Sequence, residues 1–213
     1  MKTDALIAAL AADTAPVPAG AVGRRLRLAA ALGCVGGLVI LLAWLGVRHD
    51  LMPAMRTPGF WIKAGYTLWL SLGGALLIAR LARPGGRAGP ATPILAAGLI
   101  AIVLLGAVFL VAAPADQRAV MVMGHSWRLC PWRILVIAAP VFAALIWGLR
   151  RFAPTRLTLT GAAAGLLAGA LGASVYGLAC TESSPTFVAI WYTLGISLCA
   201  AIGAASGRWL LRW

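Results

Sequence analysis

The groups able to bind a metal or move a proton are few: four cysteines, two histidines and five acidic side chains in 213 residues. Cys130 closes the stretch Gly124-His125-Ser126-Trp127-Arg128-Leu129, and Cys180 opens Thr181-Glu182-Ser183-Ser184-Pro185. Each sits at a span's end beside a polar loop, whereas Cys34 and Cys199 lie inside apolar runs, where a thiol is a small, weakly polar filler. Two thiols at similar depth can form a disulfide in an oxidising compartment if their Cα atoms come within about 7 Å. They can instead bind a soft metal, with His125 or Glu182 as a further ligand. The residues alone leave open whether Cys130 and Cys180 form a stapling disulfide or a sensing pair. No C-x-x-C occurs, which argues against a dithiol oxidoreductase or a zinc knuckle.

No catalytic constellation accompanies the thiols. The chain has no Walker A, H-E-x-x-H or G-x-S-x-G motif. Its histidines and carboxylates avoid the middle of the apolar runs, where coupled transporters place ionisable residues. The expectation is a protein that is not an enzyme, with no cofactor beyond a transiently bound soft heavy-metal ion. A small-molecule or metal permease is the alternative, followed by a quinone-coupled thiol oxidoreductase.

These residues must be positioned by membrane-spanning elements. The chain is 62% hydrophobic and 11% charged, against about 45–50% and about 25% in soluble domains. The apolar residues form blocks of about 20, the length that crosses a hydrocarbon core. Six are read: Leu28–Val47, Phe60–Ala79, Ile94–Ala113, Trp132–Leu149 with Pro140 inside, Leu157–Leu178 and Pro185–Gly207. Lys63, near the start of the second, is expected to snorkel to the interface. The fold class is therefore all-α, a six-span transmembrane bundle with a short cytoplasmic N-terminal amphipathic helix.

Basic residues set the orientation. With the N-terminus inside, Lys2, Arg24, Arg25, Arg27, the Arg80–Arg87 cluster, Arg150, Arg151, Arg156, Arg208 and Arg212 face the cytoplasm. That puts twelve basic residues inside and six outside, with both termini cytoplasmic and Cys130 and Cys180 outside. The net charge of +13 then reflects the positive-inside rule and anionic-lipid contact, and no nucleic-acid motif accompanies it. Gly161, Gly165 and Gly169, and likewise Gly195, Cys199, Gly203 and Gly207, recur every four residues. Such faces let helices approach closely within the bundle or in a homodimer, and a six-span bundle needs many such contacts.

The arm before the first span, residues 1–23, has a pattern of its own, and residues 24–213 form the membrane domain. Thr3 and Asp4 suit a helix start, Leu6, Ile7 and Leu10 share a face, and Pro16 and Pro18 follow Asp13 as stops. Asp4 and the downstream Arg24–Arg27 fit a signal peptide poorly. An interfacial helix, a frayed tail and a peptide that folds into a partner's groove remain open.

The whole chain resembles the NrsF family of multi-pass inner-membrane anti-sigma factors. The resemblance is carried by Asp4–Asp13 with Pro16-Val17, by the six-span layout, by the G-x-S-W-x-x-C element at Gly124–Cys130 (here with His125 after the glycine), and above all by Cys180–Gly195. It implies an extracytoplasmic-function (ECF) sigma factor as partner, bound through the Thr3–Val17 region with Asp4, Leu6, Ile7, Leu10 and Asp13. It further implies that Cys130 and Cys180 answer heavy-metal or oxidative stress. The arm is short, so the arginines at Arg80–Arg87 are expected to assist.

Overall fold

A computed structural model describes residues 3–12 and 20–212. Helix α1, Thr3–Ala12, lies in the arm and carries Asp4 in its first turn, where a carboxylate suits the helix dipole. Six helices are long and apolar enough to cross a membrane. They are α2 (Ala21–Trp44), α4 (Pro58–Leu81), α5 (Ala91–Ala112), α7 (Cys130–Leu149), α8 (Leu157–Tyr176) and a composite sixth span, Pro185–Leu210. The sixth joins α9 (Pro185–Phe187), a π-helical turn over Val188–Tyr192, and α10 (Thr193–Leu210). Two short helices, α3 (Leu51–Ala54) and α6 (Ala115–Met123), lie in connections at the cysteine-bearing end. No strand occurs among the described residues.

The expected spans hold, with ends displaced by a few residues. The largest shift is at α2, which begins at Ala21 rather than Leu28. Arg24, Arg25 and Arg27 continue the helix beyond the apolar block, since arginine is a good helix former and its head can reach past the hydrocarbon. Arg25 donates to the Gly148 carbonyl and lies over the Trp147 ring, which fixes α2 to the end of α7.

α8 is the most enclosed of the spans and α5 the least. The α8–α10 pair is the most extensive helix contact, followed by α2–α7, α4–α8 and α7–α8. Small residues cause this closeness. A Cβ at Gly161 would strike the Gly203 carbonyl, and one at Gly203 the Gly161 carbonyl. Gly37 brings α2 against the Ile137 carbonyl of α7, and Gly36 lies against the Pro140 ring. The glycine faces therefore pack against each other within the chain. α5 is held more lightly, in part by the Thr186 hydroxyl donating to the Gly106 carbonyl. Its exposed apolar side chains cost nothing against lipid tails.

One expectation is corrected. Lys63 does not snorkel outward; it is 2% exposed and turned into the bundle. The Cys180 and Glu182 carbonyls of the loop after α8 supply the acceptors that an interface would offer.

Candidate functional site

The site lies where the connections after α2, α6 and α8 converge. Cys130 is the first residue of α7, and Pro131 follows it in the first turn, where a missing N–H costs nothing. Cys180 follows the end of α8, its N–H bonded to the Tyr176 carbonyl. Both thiols are free and buried. Tyr176 and Tyr192 are buried too, with ring centroids 5.9 Å apart, and both lie within electrostatic range of the two cysteines. The π turn in the sixth span carries Tyr192 at its last position, and π turns inside α-helices recur at functional sites. Neither tyrosine hydroxyl makes a hydrogen bond of standard geometry, and the buried Ser126 and Ser184 hydroxyls are likewise unpaired.

Cations hold the Cys180 loop. Lys63 Nζ donates to the carbonyls of Cys180 and Glu182, at 2.9 Å each, and lies 5.9 Å from the Tyr192 ring centroid. The Arg48 N–H donates to the Leu178 carbonyl at 3.1 Å, and its Nη1 donates to the Cys180 carbonyl at 3.1 Å. Asp50 fixes the guanidinium through bonds of 2.7 and 2.6 Å.

The same Arg48 pair depresses the Asp50 carboxyl from its usual 3.8 to about 2. A depressed folded value means the pair stabilises the fold fully above about pH 4. That contribution disappears as pH falls through about 2. The melting temperature of the intact chain is expected to decline between about pH 4 and pH 2, and to decline less in Asp50→Asn. With five acidic side chains in the whole chain, few other groups contribute to that acid limb.

The second loop joins through Glu182. Its carboxylate accepts the backbone N–H of His125 at 2.7 Å, and a Cβ at Gly124, where φ is +54°, would meet that carboxylate carbon at 2.7 Å. Trp127 stacks on Trp191 at 5.2 Å, and the Trp191 indole N–H donates to the Val122 carbonyl of α6. The loops bearing Cys130 and Cys180 are thus locked to each other.

The four donors named from sequence are only partly gathered. Cys130 and Cys180 are both buried at this end of the bundle, but the His125 side chain is 91% exposed, with Nδ1 3.8 Å from Glu182. Among the described residues no three His, Cys, Asp or Glu side chains group as a metal site. Of the residues named in the arm, Asp4 and Ile7 are exposed on α1, Ile7 by 60%. Leu6 and Leu10 fall within α1, though their side chains are outside the described set, and Asp13 lies outside the described residues. Sequence reasoning missed Lys63, Arg48, Tyr176 and Tyr192. Lys63 alone carried a usable signal, as an ionisable residue inside an apolar span.

The chain matches the family profile described as NrsF, Negative regulator of sigma F, over residues 10–213. It belongs to the NrsF family. Among curated relatives, it is 45% identical to the Anti-sigma-F factor NrsF of Caulobacter vibrioides, covering all of both chains. It is 39% identical to the Probable anti-sigma-F factor NrsF of Azospira oryzae, again over the full length of both. No solved structure matches it. NrsF proteins are regulators rather than enzymes, and this member is a membrane protein by its six apolar helices.

Proposed function

We propose that this chain is an anti-sigma factor of the bacterial inner membrane, with both termini cytoplasmic. At rest it holds an ECF sigma factor through the arm, residues 1–23, and it releases that factor when Cys130 and Cys180 meet a soft metal or an oxidant. The full-length likeness to an anti-sigma-F factor at 45% identity carries the reading. Two features of the molecule support it. The buried thiols lie at the end of the bundle that the positive-inside rule would turn outward, and α1 precedes in sequence the start of α2, which carries Arg24, Arg25 and Arg27. Helices in close backbone contact join the two ends.

The chemistry at the thiols is balanced in either form. A soft divalent cation binds both sulfurs and displaces two protons. An oxidant takes two electrons and two protons, leaving an S–S bond. Thiolates are soft ligands, so the pair suits thiophilic cations rather than hard, oxygen-seeking ones. In the arm, Ile7 is exposed on a helix too short to be stable alone, which fits folding against a groove.

Co-purification from detergent-solubilised membranes with the ECF sigma factors of the same organism tests the proposal. Leu6→Asp/Leu10→Asp removes two apolar anchors and is expected to weaken capture by about 100-fold or more, with the melting temperature of the membrane domain unchanged. Undiminished capture by the double variant would remove the arm's role, and absence of capture by the intact chain would end the anti-sigma reading.

A further inference from the structure

A lysine within a membrane span is costly unless it reaches water or pairs inside the protein. Lys63 lies on the second turn of α4, near enough to the end for its stem to reach outward, yet its ammonium is turned inward and almost fully buried. There it meets two main-chain carbonyls, those of Cys180 and Glu182. The Cys180 carbonyl also accepts from Arg48, so two cations from the α2–α4 segment converge on one cysteine's backbone. A carbonyl has two lone pairs, and here both have a charged donor. Gly59 completes the seat, since a Cβ there would lie 2.5 Å from the Ser183 carbonyl. The pose of Cys180 is therefore set by a different part of the chain from its own.

We infer that Lys63 is a positioning residue of the thiol site: with Arg48, its ammonium holds the Cys180–Glu182 loop in a thiol-shielding pose and sets how much thiol reagent or soft cation is needed to act on Cys180. The inference rests on reading the thiol pair as the signal site. Charge-assisted hydrogen bonds are stronger than neutral ones, so their loss frees the loop locally without opening the helix bundle. Cys34 and Cys199 report on the bundle itself, Cys199 from within the α8–α10 contact, where a Cβ at Gly169 would lie 2.9 Å from the Cys199 Cβ.

The full-length chain in lipid nanodiscs is treated with N-ethylmaleimide, and alkylation is followed at each of the four cysteines by peptide mass spectrometry. Lys63→Met is expected to speed alkylation of Cys180 by about tenfold or more, with Cys34 and Cys199 unchanged. Lys63→Arg keeps the charge and the donors and is expected to stay within about threefold of the parent. Should Lys63→Met fail to fold, Arg48→Met removes the other donor from a connection outside the spans, and a selective rise of about threefold at Cys180 is expected. An unchanged Cys180 rate in the folded variants, or an equal rise at all four cysteines, would overturn the inference. In a second arm, the Cd2+ concentration that releases bound sigma factor is expected to fall about tenfold in Lys63→Met. Alkylation is read without any partner, so failure of Cd2+ to release sigma factor from the parent chain would strike the proposed function, while the alkylation rates still decide the clamp.

Discussion

Gly165→Leu is expected to lower the melting temperature by at least about 6–12 °C, the shift that about 3 kcal/mol produces in a chain of this size. A side chain at Gly165 would run into the Cys199 carbonyl, and its neighbours in the seam are equally intolerant. Gly161 faces the Gly203 carbonyl and the Gly207 Cα, and Gly169 lies 3.1 Å, by its absent Cβ, from the Ile196 Cα. These obstacles are backbone atoms, which cannot rotate aside as a flexible side chain can. Overpacking a core costs about 1–3 kcal/mol when side chains can adjust, and here one whole helix would have to move off another. Gly65→Leu provides the control, because nothing lies within 4 Å of that position. It is expected to shift the melting temperature by less than about 2 °C. Equal shifts in the two variants, followed by thermal unfolding in mild detergent, would contradict the seam as the main internal contact.

Cys130→Ser/Cys180→Ser is expected to keep the sigma factor bound whatever the signal. Serine preserves the size of each side chain but is a poor ligand for soft cations and forms no disulfide. Reversing occupancy from about 1:99 to 99:1 needs about 10⁴-fold preference, or about 5.5 kcal/mol, for the released state. Two sulfurs sharing one cation, or one S–S bond, form a source of that size, and the buried pair is the grouping of thiols at that end of the bundle. A transcriptional reporter driven by the sigma factor should rise about 100-fold with Cd2+ in the parent and remain flat in the double variant. Each single serine variant should be nearly as flat, because one thiol cannot bridge. A full response in the double variant would place the sensing elsewhere.

The six spans were legible because each carries an apolar block of the length the membrane demands. The placement of Cys130 and Cys180 at one end of the bundle was legible as well, since both fall at span ends next to polar loops. The glycine repeats marked faces of close helix approach, and of these Gly161 and Gly165 meet Cys199, Gly203 and Gly207, whereas Gly195 lies against Ile134 and Pro131 of α7. The inward turn of Lys63 was not legible. In lipid both faces of a span are apolar, so periodicity does not say which side faces the protein, and α5 is apolar all round. The direction of Lys63 depends on carbonyls more than a hundred residues away in sequence. Tyr176 and Tyr192 were overlooked for the same reason, as aromatic residues near span ends read equally well as interface anchors. The π turn, in which Trp191 and Tyr192 lie against Trp127 and Tyr176, had no local sign in the sequence.

The most direct test of the account is the binding of fluorescently labelled sigma factor to the full-length chain in nanodiscs, followed as Cd2+ is added. The account predicts tight binding at rest, dissociation on addition of the cation, and retention in Cys130→Ser/Cys180→Ser under the same addition. Binding that ignores Cd2+ in the parent, or release that persists in the double variant, would contradict it.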